Sequence, residues 1–513
     1  MCGLILCNAN VITMDPVLRK AELVAVDGEH ISSVACNGML PILKKPGSQI
    51  IDCMGRTVMP GFVDAHCHVL AYAESLISLN LSPSASVHSI SDLQRRISDF
   101  CKGQPPGAWV RGKAYDEFYS AEKRLPNRWE LDAAAPIHPV KVTHRSGHAH
   151  ILNSLALKYV AISEESGDPP EGFIDRDPES GVPTGILYGM GRYLARKIPP
   201  LNETEMERGV AVANERLLSY GITSIHDASS FNGISQWERF EDLKARKIIQ
   251  PRLAVVMGWE AFEKSQREMI PPGWSKAGFM YGAVKIITGQ VTGSLHPTQK
   301  ELNEQLSSIN KAHLQAVIHA VEEPEIEAAC NAIAYALDKH SRRDHRHRIE
   351  HCSVCPPALL RRIKELGITV VTQPSFIYYS GDRYLKTVPS SQLEHLYPIC
   401  SIVRSGVPAA AGSDSPVSDP NPLVGICAAV ARLTKGGQRV LPQQGVPVED
   451  ALRMHTLGAA AAGFEEGIKG SISPGKFADM VMLSEDPFTV DPDRIKDIHV
   501  TMTILGGQIA FSE

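Results

Sequence analysis

Eight short apolar runs lie between two β-rich ends of the chain, and helical periods follow several of them. That alternation restricts the fold more than any other feature. The runs are FVDAH (62–66), ITSIHDA (222–228), RLAVVM (252–257), AVKII (283–287), QAVIHA (315–320), RIEHC (348–352), ITVVTQ (368–373) and VPAAAGS (407–413). The helical periods include 324–340, 356–366 and 420–434. Parallel strands cannot be joined by a tight turn and need a crossover, usually a helix. Strand–helix alternation therefore predicts an α/β fold with a parallel sheet, and eight strands predict closure as a (β/α)8 TIM barrel.

A ninth run, VKVTHR (140–145), is surplus to that count. It lies in an interval of about 75–200 that carries Pro and Gly turns and Trp109, Tyr115, Phe118 and Trp129. We read this interval as an insertion after the first barrel strand, over one mouth of the barrel. The two ends read as short strands and turns, with Asp27-Gly28 and Gly506-Gly507 as hairpin signals. Neither end has enough strands to bury a face alone, which predicts that they pair as a small β-sandwich. The boundaries on this reading are 1–59 and 466–513 for the sandwich and 60–465 for the barrel.

Composition excludes several function classes. Lys+Arg number 52 and Asp+Glu 57, a net charge of −5, so there is no basic excess for coating nucleic acid. Nothing approaches the ~18 consecutive apolar residues of a membrane span. The opening MCGLILCNANVITMD lacks the positively charged start of a secretory signal. Eleven cysteines without a repeated spacing argue against a disulfide framework. The expectation is a cytoplasmic globular protein acting on a small molecule, with neither nucleic acid nor membrane as partner.

The chemistry is concentrated at strand ends. In PGFVDAHCH (60–68), His66 and His68 are two apart, so both side chains leave one face of a strand. Imidazoles are ordinary ligands for Zn²⁺ and its neighbours, and two supply half of a tetrahedral set. His319, His351 and Asp414 each follow another apolar run, at the rim where (β/α)8 barrels build their active sites. A lone strand-end histidine is more often a hydrogen-bonded filler, but the co-occurrence with an HxH pair and an Asp favours a metal site. Lys285 stands inside GAVKIIT, where an unpaired ammonium is expensive to bury. It is either ion-paired or converted to a carbamate whose two oxygens bridge two cations.

The chain resembles the amidohydrolase superfamily, and within it the YtcJ-like branch that includes N-substituted formamide deformylases. Beside PGFVDAHCH, the resemblance rests on WVRGKAYDE (109–117), RSGHAHILNSLAL (145–157), GVPTGIL (181–187), GITSIHDA (221–228), VKII (284–287), HRIEHC (347–352), GSDSPV (412–417) and GSISPGKFADMVML (470–483). It implies a metal-bearing barrel that hydrolyses carbon–nitrogen or similar bonds, and a homodimer as the family's assembly. His66, His68 and Asp414 resemble ligands of a first metal; His319 and His351 resemble those of a second, with Lys285 as bridge. The cofactor implied is one or two divalent ions, zinc first, with Fe, Mn or Co as alternatives.

The chain departs from the branch in three places. The turn after Lys285 is Ile286-Ile287-Thr288-Gly289-Gln290, without the usual Asp; GVPTGIL continues as Tyr188-Gly189-Met190-Gly191, without a nearby Glu; and His319 is followed by Ala320-Val321-Glu322-Glu323. A His with Glu three positions later resembles the mononuclear deaminases of the superfamily, which leaves one or two metals open. Glu322 is then either a proton shuttle or a solvated first-turn Glu stabilised by a helix N-terminus.

Whichever count holds, a bound divalent cation makes water acidic and polarises the substrate carbonyl. Asp414 is suited to take the water proton and pass it to the leaving nitrogen, with Glu322 as an alternative proton donor. With one metal, His351 would hydrogen-bond the attacked oxygen instead of serving as a ligand. His148 is a candidate substrate contact, whereas His144 and His150 are not expected as ligands. His226 and Asp227 lie at the rim where a site is built and read equally well as a barrel-end hydrogen-bond pair, and His345 and His347 read as solvated residues of a charged turn. Cys352 and Cys355 have no second cysteine pair, and Ser413 has neither a G-x-S-x-G context nor an adjacent base.

The function read from the sequence is hydrolysis of an amide-like C–N bond (formamide, amide, urea or carbamate) of a small organic molecule. The alternatives are a mononuclear deaminase of a heterocycle and a metal-free regulatory homologue that has lost activity. On the first reading, His66→Ala abolishes turnover in a hydrolysis assay while the circular dichroism spectrum stays that of the parent.

Overall fold

The computed structural model describes residues 3–169, 172–267, 273–274, 280–291 and 294–513. They divide into two compact units, one of Met1–Val69 with Ala213–Glu513 and the other of Leu70–Val212.

In the first unit all eight apolar runs form strands, because Val, Ile and Ala at consecutive positions suit a sheet covered on both faces. Phe62–Cys67 pairs in parallel with Ile222–Asp227, and that strand pairs with Arg252–Val255. A second parallel run joins Met257–Gly258, Ala283–Ile287, Gln315–Ala320, Arg348–His351, Thr369–Thr372 and Ala409–Ala411 in that order. Helices intervene, among them Ile234–Ala245, Gln299–Lys311, Glu323–Lys339 and Pro357–Glu365. Their apolar faces bury Leu302, Leu306, Ile326, Ile333 and Ile363 against Val284, Ile318 and Ile349 of the strands. The result is a TIM-barrel-like α/β architecture.

The ends of the chain meet within the same unit. Thr57–Pro60 pairs antiparallel with Met480–Leu483 in a six-stranded sheet. A four-stranded sheet contains Leu4–Cys7, Leu23–Asp27, His30–Ala35 and Gln49–Asp52. One apolar cluster takes Leu4, Leu6, Val24 and Val26 from the smaller sheet and Val11, Val58, Met480 and Ile504 from the larger. The hairpin expected at Asp27-Gly28 is present, with Gly28 at φ 60°, where a residue with Cβ would be strained.

The second unit holds the surplus run. Val140–His144 lies in a mixed six-stranded sheet between Val110–Tyr115, which is parallel to it, and Ala149–Leu152, which is antiparallel. Several helices start on side-chain caps. Ser89 accepts the Asp92 N–H at the start of Ile90–Cys101, and Asn127 accepts the Glu130 N–H at the start of Arg128–Ala134. Among the described residues, no helix is long and apolar enough to cross a membrane.

The strands Phe62–Cys67 and Ala409–Ala411 are linked at their C-terminal ends. The Asp414 N–H donates to the His66 carbonyl at 2.7 Å, and the His68 N–H donates to the Ser415 carbonyl at 2.9 Å. Gly412 makes this approach feasible: a Cβ there would lie 2.5 Å from the His66 backbone nitrogen. Gly412→Ala is therefore expected to lower stability by ~1–3 kcal/mol, the usual penalty of overpacking, read as a lower denaturation midpoint.

Candidate active site

His66 is the last-but-one residue of Phe62–Cys67, and His68 lies just past its end. Their rings are 5.3 Å apart and nearly perpendicular. Asp414, beyond Ala409–Ala411, places Oδ1 3.0 Å from His68 Nε2 and 3.6 Å from His66 Nε2. Ligand atoms of these three residues all lie within 4.8 Å of one another. The His351 ring is 5.0 Å from that of His66 and 4.4 Å from that of His319. Lys285 is buried in mid-strand, with Nζ 3.4 Å from His66 Nε2. Six residues, in or just beyond five strands, thus meet at one end of the parallel runs.

Three of the imidazoles are held from behind through Nδ1. His66 Nδ1–H donates to the carboxylate of Glu350, which can only accept. His351 Nδ1 lies 2.8 Å from Gln373 Oε1, and His68 Nδ1 lies 3.1 Å from Ser229 Oγ. Such partners orient metal-binding imidazoles and set which nitrogen carries the proton.

The electrostatics agree with this arrangement. Burial, helped by the Lys285 charge, pushes His66 down to about 3, and burial also lowers His351, so both rings are neutral. Burial opposes ionisation of Asp414. The hydrogen bond from His68 and the neighbouring imidazoles overcome it and hold the carboxyl well below the usual range. Neutral imidazoles and an ionised carboxylate are the forms that bind a divalent cation. Burial brings Lys285 down to about 8 against the pull of Glu350 and Asp414, so a neutral fraction of the amine exists near neutral pH. By these forms, the donor set fits a divalent metal.

The backbone is unusual at the same place. His351, Cys352 and Asp414 have φ of 72°, 50° and 55°, in the left-handed region that L side chains seldom occupy. Such conformations persist where their surroundings over-determine them. Here the Cys352 N–H is held by the Ala320 carbonyl at 3.0 Å, and Asp414 is held by His66.

Other expectations fare differently. Glu322 is the exposed N-cap of Glu323–Lys339, the solvated alternative, and among the described residues no hydrogen bond joins it to the histidine cluster. His345 and His347 are not solvated: both are buried. His347 Nδ1 accepts the Ala316 N–H at 2.9 Å, and His345 Nε2 reaches the Leu366 carbonyl at 2.8 Å. The charged neighbours in SRRDHRHRIEH concealed that these two rings fill backbone hydrogen bonds. His226 and Asp227 are not a pair, since His226 meets Glu465 and Asp227 accepts from Val69 and Asn232. Ser413 does have a base beside it, but its hydroxyl donates to Asp64 at 2.6 Å, which ties Asp64 to the strand end. Cys352 follows its strand instead of ending it, and Cys352 and Cys355 are both buried.

Glu350, Arg348, Gln373 and Ser229 escaped the sequence reading. The available signal was RIEHC itself, two opposite charges two apart in a strand expected to be buried, a spacing that puts both on one face.

In the second unit, His148 is exposed and lines a cavity of about 780 Å³ with Glu117, His144, Asp175 and Tyr188. Asp116, Glu117 and His144 also bring ligand atoms within 4.8 Å of one another. The His144 Nδ1 accepts the Ser146 N–H at 3.2 Å, so Nε2 carries the proton and faces Glu117 Oε2 at 2.8 Å. Arg145 lies 3.4 Å from the Asp116 carboxylate. This group contains the Arg145–Asp116 ion pair, and the buried His144 Nε2 turns its proton toward Glu117 instead of offering a lone pair.

Burial drives His347 well below its ordinary value and His455 to about 3. A lowered imidazole contributes stability that is present above the unfolded value near 6.5 and is lost as pH falls below it. Between pH 6.5 and 5, unfolding free energy is expected to fall with pH. His347→Asn should flatten that slope by about 1.4 kcal/mol per pH unit, read by denaturant titration.

The pattern of the amidohydrolase family matches residues 49–511. The N-substituted formamide deformylase of Arthrobacter pascens is 28% identical over 545 residues, covering 100% of this chain and 98% of that one. YtcJ of Bacillus subtilis (strain 168) is 26% identical over 491 residues, covering 91% of each. The crystal structure of an uncharacterized metal-dependent hydrolase from Pyrococcus furiosus superposes with a TM-score of 0.74 at 23% identity, covering 95% of this chain and 100% of that one. The chain belongs to the amidohydrolase family, and is a hydrolase acting on carbon–nitrogen bonds.

Proposed function

We propose that this hydrolase cleaves an amide-like bond of a small organic molecule, with formamides, amides, ureas and carbamates as the substrate class. The observation that carries this reading is the convergence of His66 Nε2 and His68 Nε2 on Asp414 Oδ1, at 3.6 and 3.0 Å, with His351, His319 and Lys285 alongside. The likeness to the formamide deformylase over the whole chain supports the same class.

In this reading the two parallel runs are parts of one closed (β/α)8 barrel, supported by the hydrogen bonds of Asp414 and His68 across the first and last strands. The paired chain ends, 1–59 and 466–513, form a β-sandwich, supported by the apolar cluster shared by their two sheets. His66, His68 and Asp414 hold a first divalent ion. His319, His351 and a carbamate on Lys285 serve a second, with zinc the first choice by donor type. The neutral fraction of Lys285 supports the carbamate, since only the free amine adds carbon dioxide.

A divalent cation at this place supplies the positive charge that acidifies water and polarises a carbonyl. Asp414 is ionised and buried, so it accepts the proton of the attacking water and returns it to the departing nitrogen, which cannot leave as an anion. His351, with its Nδ1 tied to Gln373, is fixed in orientation for ligation. The exposed position of Glu322 lends no support to the deaminase alternative.

Elemental analysis of the purified protein is expected to find at least one divalent transition metal per chain. Mass spectrometry across a panel of N-substituted formamides, simple amides, ureas, carbamates and aminoheterocycles is expected to find C–N cleavage products of the first four groups. Ammonia released only from aminoheterocycles would transfer the site to the deaminases. A metal-free protein inactive after metal addition would leave the regulatory alternative.

A further inference from the structure

Beneath the histidine cluster runs a chain of buried polar side chains that the proposed hydrolysis does not use. Arg348 Nε and Nη2 hold the two oxygens of Glu350 at 2.7 and 3.0 Å. Arg348 Nη2 also donates to the Ala65 carbonyl at 2.7 Å, on the strand that carries His66. Its Nη1 lies 3.3 Å from His226 Nδ1, and His226 Nε2 lies 3.1 Å from Glu465 Oε2. Lys469 closes the chain at 2.6 Å from the same Glu465 oxygen and donates to Ser224. The side chains of His66, Glu350, Arg348, His226, Glu465 and Lys469 are each at most 5% exposed.

The donors and acceptors in this chain admit one arrangement of protons. Arg348 only donates, so His226 Nδ1 accepts and its proton sits on Nε2, directed at Glu465, which only accepts. Arg348 is thereby anchored on two sides and aims its planar fork at Glu350, the geometry in which guanidinium and carboxylate bind most specifically. Glu350, with both oxygens engaged, takes the remaining donor, His66 Nδ1–H. The lone pair of His66 then belongs to Nε2, the nitrogen that faces Asp414 and Lys285.

We propose that Glu350 is a positioning residue for the metal centre, locking His66 in the tautomer whose Nε2 is free to ligate, and that Arg348, backed by His226 and Glu465, holds Glu350 in place. This rests on the reading of His66 as a ligand. It adds that the affinity of the centre is set partly by residues that touch neither metal nor substrate. Removal of such a partner typically weakens metal binding about 10–100-fold.

Two measurements test it. In protein labelled with ¹⁵N-histidine, the ring of His66, assigned with His66→Asn, is expected to carry its proton on Nδ1, and that of His226 on Nε2. The opposite tautomer at His66 overturns the proposal without any variant needing to fold. In Glu350→Gln, Zn²⁺ affinity by chelator competition is expected to fall 10–100-fold and the visible spectrum of the Co²⁺-loaded protein to change, with Glu350→Asp restoring part of both. Wild-type affinity and an unchanged Co²⁺ spectrum in Glu350→Gln overturn the proposal alone, whereas failure of the wild type to bind metal counts against the site reading itself.

Discussion

Charge withdrawn from water is the constraint on which this structure turns. Lys285, Arg348, Glu350 and Asp414 are all buried, and desolvating each ion costs several kcal/mol unless partners replace the lost water. The partners are one another and the histidines among them, so no member can move without leaving a neighbour uncompensated. This accounts for features that are otherwise separate. The left-handed backbone at His351 and Asp414, the bare Cα of Gly412 against His66, and the Ser413–Asp64 hydrogen bond all hold strand ends at the spacing these groups require.

The same residue types behave differently in the second unit, where position decides chemistry. Asp116, Glu117 and His144 approach one another as closely as His66, His68 and Asp414 do. Ser146 donates its N–H to His144 Nδ1, which puts the proton on the nitrogen facing Glu117, while Glu350 accepts from His66 Nδ1 and leaves the nitrogen facing Asp414 bare. For these two rings, the donor behind His144 leaves a hydrogen-bond donor in front, and the acceptor behind His66 leaves a lone pair in front. Composition of a cluster says little until the partner of each ring nitrogen is known.

Much of the site could be read one residue at a time. His66, His68, His319, His351 and Asp414 stand out because each puts a polar, metal-competent side chain at the end of an apolar strand, and packing does not call for that. Lys285 stands out because an ammonium among Val284, Ile286 and Ile287 contradicts its surroundings. Glu350 and Arg348 give the same kind of signal, but their opposite charges two apart on one face conceal it beside His351. His345 and His347 mislead in the other direction. Their neighbours are charged, and only the fold shows their rings filling backbone hydrogen bonds in the interior.

What the sequence determined by itself was the kind of each element and the kind of each donor. A strand covered on both faces must be apolar along its length, a helix must repeat every 3.6 residues, and an imidazole or carboxylate keeps its chemistry wherever it is placed. What only the tertiary structure decided was pairing. Glu350 lies 284 positions from His66, and Asp414 lies 346 from His68. Whether such residues meet depends on how all the intervening strands stack and twist. Hydrogen bonds act over about 3 Å, so which nitrogen faces inward is settled by packing and by nothing local to the histidine.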